Sequence, residues 1–158
     1  MELRKALLSG TWALVVALAG GLIMLHEGLV PFTHADPVGI PSICYGTTGA
    51  DAAPGRVATP EECKALLDRD MQVALRAVER CIAVPLHAHE LAALISFTYN
   101  IGGGALCSST LARLANAGKP AVEWCAQMTR WVWATRLGVK VRLRGLERRR
   151  VAEHALCI

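Results

Sequence analysis

The sequence predicts an α+β fold, mostly α, preceded by an N-terminal apolar helix. Three observations carry this reading. Ala6 to Leu25 runs for 20 residues without a charge. His26 to Gly46 is a turn-rich, Pro/Gly-rich loop, and Gly46 to Pro60, rich in Gly, Thr, Ala and Pro, reads as turns and short strands. From Thr59 onward, helix starts and stops recur to the end of the chain. At 158 residues there is material for one modest core and not for two.

Taken in order, Arg4 and Lys5 form a short positive flank before the apolar run. As a helix rising about 1.5 Å per residue, that run spans roughly 30 Å, the hydrocarbon thickness of a bilayer. The flank orients the N-terminus to the cytoplasm and everything after Leu25 to the outside. Ser9, Gly10, Thr11, Gly20, Gly21 and the alanines dilute the segment, so its hold on lipid is loose. A cleavable signal peptide is the competing reading, with Ala17-Leu18-Ala19 as its cleavage signature. The uncleaved anchor is preferred, giving an anchor over residues 1–25 and a second unit over 26–158.

Thr59-Pro60-Glu61-Glu62 is a helix start, with Thr59 as N-cap, Pro60 in the first turn and Glu62 closing a capping box. This helix is expected to reach about Ile82 and stop before Pro85. Glu90 to Ile101 reads as a more buried helix ended by Gly102-Gly103-Gly104. Ser109 to Ala117 forms another, closed by Gly118 and Pro120. Ala121 to Met128 and Gly145 to Cys157 complete the helical body.

The net charge is +4, unevenly spread. Arg130 to Arg150 holds eight Lys/Arg against the single acid Glu147. A solvated helix face accounts for most of these residues, but the run also favours anionic partners: nucleic acid, acidic lipid or an acidic cell-wall polymer. Six cysteines, Cys44, Cys63, Cys81, Cys107, Cys125 and Cys157, contain no CxxC pair, which argues against zinc. With an export-like N-terminus, the even count predicts disulfides in an oxidising compartment. Sequence leaves 15 pairings open; Cys44–Cys63 and Cys125–Cys157 would link neighbouring elements and leave Cys81–Cys107. His26, His34, His87, His89 and His154 show no metal-ligand spacing with cysteines or acids.

The chemistry lies in HEGLVPFTHADPVGIPSICYG, His26 to Gly46. Glu27 and Asp36 are separated by eight residues, Asp36 and Ser42 by five. Two carboxylates across a cleft equip a site for glycoside hydrolysis, one as a proton donor and one acting on water or on the sugar. Glu27 ends the apolar helix, where desolvation is expected to favour the protonated, donor form. Asp36, in a Pro/Gly turn, is expected to be wetter and ionised. Acids in loops are usually only solvated, so the pair alone is weak evidence.

The full pattern resembles the bacteriophage-type lysozymes, glycoside hydrolase family 24, and particularly the endolysins with an N-terminal signal-arrest-release segment. Glu27-x8-Asp36-x5-Ser42 falls on the family's Glu-x8-Asp-x5-Thr. ICYG at Ile43 to Gly46, SFTYNIGGGALCSSTLARLANAG at Ser96 to Gly118, and Arg130-Trp131, Gly145-Leu146 and RRRVAEHALC at Arg148 to Cys157 follow in the family's order. The resemblance covers Glu27 to Cys157. Two positions depart from it: Ser42 replaces the usual threonine, and Thr47 stands where relatives often carry histidine.

The resemblance implies a lysozyme-like fold, with a small β-hairpin lobe and a helical lobe. It implies a muramidase that cleaves the β-1,4 bond between N-acetylmuramic acid and N-acetylglucosamine in peptidoglycan. Glu27 would be the general acid, Asp36 the carboxylate that positions or deprotonates water, and Ser42 the hydroxyl that holds it. Inversion would follow, with carboxyls roughly 6.5–9.5 Å apart. Asn100 and Trp131 are candidate substrate contacts, with helix-end hydrogen bonding and core packing as the respective rivals. Arg148 or Arg149 would brace Glu27, unless they serve only as structural ion pairs. Neither metal nor organic cofactor is implied. The expected partners are peptidoglycan, the bacterial inner membrane through residues 6–25, and a holin as functional partner only; the chain would be a monomer with no nucleic-acid partner. It would start in the host inner membrane, silent while tethered, and be released to the periplasm. The rivals are a lytic transglycosylase using Glu27 alone, and a non-catalytic membrane-anchored lysis regulator.

Overall fold

The computed structural model describes residues 11–158. Residues 1–10, which include the positive flank and the start of the expected anchor, lie outside them. Thr11–Glu27 forms helix α1, apolar over nearly all its length. A β-hairpin follows, β1 (Val30–Ala35) and β2 (Pro41–Cys44), paired antiparallel with His34 opposite Ser42. A 3-10 turn at Gly49–Ala52 completes this small lobe.

The helical lobe begins with α2 (Pro60–Cys81). Its start carries the expected reciprocal cap: Glu62 N donates to Thr59 Oγ1 at 3.2 Å, and Thr59 N donates to Glu62 Oε2 at 2.6 Å. Helix α3 (Ala88–Ile101) is the axis of the lobe, buried continuously from Glu90 to Thr98. It is covered by α1, α2 and the C-terminal helix α7 (Arg144–Cys157). Gly102, at φ 85°, ends it.

The glycine run does more than stop a helix. It opens a further short helix, α4 (Gly103–Cys107), pressed against α2. A Cβ at Gly103 would lie 2.7 Å from the Ala77 methyl, so this helix crossing requires glycine. Helices α5 (Thr110–Asn116) and α6 (Ala121–Cys125) follow. The helix expected over Ala121 to Met128 is shorter as α-helix, because a 3-10 segment takes over at Ala126–Arg130. Between it and α7 stands a second antiparallel hairpin, β3 (Trp133–Arg136) and β4 (Val139–Arg142), not foreseen from sequence.

Helix α1 is part of the protein body. Val15, Ala19, Gly20 and Ile23 are buried, against α3 and α7. Its other side, including Leu14, Met24 and Leu25, is exposed. Among the described residues, no helix is long and apolar enough to cross a membrane. Residues 11–25, which the sequence reads as part of a span, are here part of a helix packed on the protein body.

Three disulfides, Cys44–Cys63, Cys81–Cys107 and Cys125–Cys157, account for all six cysteines. The first ties β2 to α2, the second the end of α2 to α4, and the third α6 to the end of α7.

Candidate active site

A cleft of about 590 Å³ lies between the two lobes, lined among others by Glu27, Asp36, Asn100, Trp131 and Arg149. Each arrives by a different element. Glu27 is the last residue of α1, where helix carbonyls converge and a negative charge needs a compensating cation. Arg149 of α7 supplies it through an Nη1–Oε1 ion pair. Arg148 is exposed and makes no such pair, so only one of the two candidate arginines braces Glu27. Successive helix residues point about 100° apart, and α7 turns Arg149 inward.

Arg149 does not swing freely. Its Nε donates to Glu153 Oε1 at 2.9 Å and its Nη2 to the Ser96 carbonyl at 3.0 Å. Ser96 Oγ donates to the same Glu153 oxygen at 2.8 Å. Arg150 completes the cluster, bonded to Glu153, to Asn100 Oδ1 and, at 2.9 Å, to the Trp131 carbonyl. Burial pulls the Arg150 guanidinium below its usual value, opposed by Glu153. Two acids and two guanidiniums thus neutralise one another, each charge partnered as burial demands. The Glu27 carboxylate therefore faces a fixed guanidinium, the arginine brace that the resemblance implied, beside the desolvation expected at the end of an apolar helix.

Asp36 is set by the β1–β2 turn. Its Oδ1 accepts from Val38 N at 2.9 Å and Ile40 N at 2.8 Å, an Asx turn that fixes the carboxylate at the cleft edge. Among the described residues, its Oδ2 accepts no hydrogen bond. Ser42 is buried on β2, opposite His34, and is not among the residues lining the cleft. Asn100 is on the cleft wall, but its side-chain oxygen accepts from Arg150, so helix-end bonding and cleft lining coincide. Trp131 lines the cleft and packs edge-on against Phe97 at 5.8 Å.

Several contacts around the site were not foreseen from the sequence. Gly46 presses on Glu27, at φ 83°. Tyr99 Oη donates to the Tyr45 carbonyl at 2.7 Å, and Thr47 Oγ1 to Asp70 Oδ2 at 2.8 Å. Both bonds hold the turn that carries Gly46. Thr47, the departure from histidine, thus keeps a polar link to α2. Arg149 was offered by the resemblance as one of two braces for Glu27, but the Glu153 hub that joins it to Arg150 was legible only as i,i+3 and i,i+4 spacing on α7, a pattern shared with any solvated helix face. His26 also lines the cleft, with Nε2 buried and unpartnered; burial first, then Arg149, lower its pKa below the usual imidazole value. Among the described residues no cluster of His, Cys, Asp and Glu could hold a metal.

The "Phage lysozyme" family model matches residues 24–153. A SAR-endolysin of Enterobacteria phage P21 is 35% identical over 163 residues, covering 99% of this chain and 96% of that protein. Among solved structures, the endolysin from Escherichia coli O157:H7 phage FAHEc1 superposes with TM-score 0.79 at 35% identity, over 89% of this chain and 90% of that one. The muramidase domain of SpmX from Asticaccaulis excentricus gives 0.78 at 34% identity over 89% of this chain and 94% of that one. With the family model spanning both lobes and the whole cleft, the chain belongs to the phage lysozyme family.

Proposed function

We propose that this chain is an endolysin, a muramidase that hydrolyses the β-1,4 bond between N-acetylmuramic acid and N-acetylglucosamine in bacterial peptidoglycan. The observation that carries the reading is the presence of Glu27 and Asp36 in one cleft, the first clamped by Arg149 and the second by its own turn. Glu27 donates a proton to the glycosidic oxygen as the bond breaks. Asp36 orients and deprotonates the water that attacks the anomeric carbon, and Ser42 holds that water from β2. Asn100 and Trp131 contact the sugars. The site residues and the relatives named SAR-endolysin and muramidase support the assignment.

The same reading explains why Glu27 ends an apolar helix. While residues 6–25 lie in the host inner membrane, Val15, Ala19 and Ile23 are withdrawn from the core and Glu27 is held at the lipid surface. The cleft is then incomplete and the enzyme silent. Release to the periplasm, triggered by a holin that depolarises the membrane, lets α1 dock. Cleavage after Ala19 would instead remove Val15 and Ala19 from the packed helix, which favours release of the intact chain.

Turbidity loss of outer-membrane-permeabilised cells tests the catalytic assignment. Wild-type protein clears the suspension, and Glu27→Gln, which keeps the shape but carries no acidic proton, does not. Clearing by Glu27→Gln at more than a few per cent of the wild-type rate would remove Glu27 from the role. Failure of the folded wild type to clear cells would favour a non-catalytic lysis regulator.

A further inference from the structure

Leu137 breaks two local rules at once. It is 98% exposed, and its backbone stands at φ 48° in the left-handed region. Together with Gly138 it forms the two-residue connection beyond the Arg136–Val139 pair, where such turns favour Asn, Asp or Gly. Leucine there helps neither the turn nor the core. Sites where a chain retains a locally unfavourable residue are where an external partner is to be sought.

The surroundings say what kind of partner. Val139 and Trp133 on the same hairpin are also exposed. The Lys140 ammonium lies 5.7 Å from the Trp133 ring centroid, keeping a cation at the shoulder of the apolar tip. Of the eight cations between residues 130 and 150, Arg142, Arg149 and Arg150 are engaged by Glu147, Glu27 and Glu153. Arg136, Lys140 and Arg144 are exposed, and among the described residues none of them is in an ion pair. A leucine at the tip, an indole behind it and free cations around both is the composition of a segment seated at an anionic bilayer surface. A glycan or nucleic-acid strand would use the cations but offers nothing to the exposed leucine and valine.

We propose that the β3–β4 hairpin docks on an anionic phospholipid bilayer, with Leu137 and Val139 among the headgroups and Arg136, Lys140 and Arg144 on lipid phosphates. This contact is separate from the α1 segment and independent of the catalytic assignment. It gives the body of the protein its own affinity for the membrane surface. Trp133 and Arg144 also border the cleft, so the variants that test the idea avoid them.

The test is co-sedimentation of the purified full chain with vesicles of equal parts phosphatidylglycerol and phosphatidylcholine, and with phosphatidylcholine alone. Binding is expected on the anionic vesicles, weakening with salt. Leu137→Asn, a residue the turn favours, should lower the partition coefficient about tenfold, with Tm unchanged or raised. Arg136→Gln with Lys140→Gln should lower it by roughly tenfold or more. Unchanged vesicle binding by Leu137→Asn would overturn the proposal and leave any membrane affinity to α1. So would retention on isolated peptidoglycan that falls in Leu137→Asn while vesicle binding does not, since the partner would then be the polymer.

Discussion

Gly46 stands against the Glu27 carboxylate so closely that a Cβ there would lie 2.7 Å from Oε2 and 3.0 Å from Cδ. Glu27 is held from the other side by Arg149. The carboxylate is thus seated between a backbone and a guanidinium, and neither can yield easily. Arg149 is tied to Glu153 and Ser96, and the Gly46 turn is tied through Tyr99 and Thr47.

Gly46→Ala should therefore damage activity more than stability. The left-handed φ costs about 1–2 kcal/mol with a Cβ, and the methyl must push Glu27 off its position. A loss of two orders of magnitude in kcat, with a Tm drop of only several degrees, is expected from lysis kinetics and thermal melts on one preparation.

Arg149→Met should unfold or severely destabilise the protein, by about 3–5 kcal/mol, because Glu153 and Glu27 lose a shared buried counter-charge. Arg148→Ala, an exposed neighbour, should stay within about 0.5 kcal/mol of wild type. Urea denaturation of the two variants checks the contrast; equal effects would remove Arg149 from its bracing role.

Ser42 is buried on β2 behind the Asp36 turn. Ser42→Thr should be tolerated or improve turnover, since it keeps the hydroxyl and restricts its rotamer. Ser42→Val keeps the shape without the hydroxyl and should cripple turnover while leaving the melting temperature close to wild type.

How much of this was legible beforehand follows the range of the signals involved. The α2 start was readable because Thr59, Pro60 and Glu62 act within one turn, and the stop of α3 because Gly102 needs only its own φ. The β3–β4 hairpin was not, since the alternation of β4, Val139 to Arg142, is only four residues long, β3 lacks it, and the turn is Leu137-Gly138 in place of Asn-Gly. The carboxylates of the cleft came from spacing and resemblance. The resemblance also offered Arg148 or Arg149 as the brace of Glu27 but could not choose between them, because Glu27 and Arg149 are 122 residues apart and only the packing of α1, α3 and α7 brings them together. Gly46 was visible as a motif letter, without the reason that makes it glycine.

The His26 ring gives a pH dependence. Its folded pKa is lowered, so between that value and the ordinary one near 6.5 the unfolded chain takes up a proton that the folded chain refuses. This contribution to stability is complete above 6.5 and is lost as pH falls through the window. Tm measured from pH 7.5 downward should fall less steeply for His26→Gln than for wild type. Identical slopes would place the pH sensitivity elsewhere.

The two glycines in the middle of α1 separate tethering from catalysis. Gly21 is exposed with no atom within 4 Å of an added Cβ, whereas a Cβ at Gly20 would meet Met71 Sδ at 3.7 Å, and a longer side chain would collide with it. Gly21→Leu should raise membrane affinity and delay lysis after depolarisation, yet the purified soluble variant should digest isolated sacculi at the wild-type rate. Gly20→Leu should fail in both assays. Membrane fractionation with lysis timing provides the check, and prompt lysis by a membrane-bound Gly21→Leu chain would break the link between release and activity.

The central claim is hydrolysis of the muramyl bond by Glu27 and Asp36 acting on water, and its most direct measurement is mass spectrometry of muropeptides released from purified sacculi in ¹⁸O-water. Hydrolysis yields products with N-acetylmuramic acid at a reducing end carrying one ¹⁸O, and Glu27→Gln or Asp36→Asn releases none. Products ending in anhydro-muramic acid without label would instead show an intramolecular transglycosylation that needs no Asp36-activated water, and would contradict it.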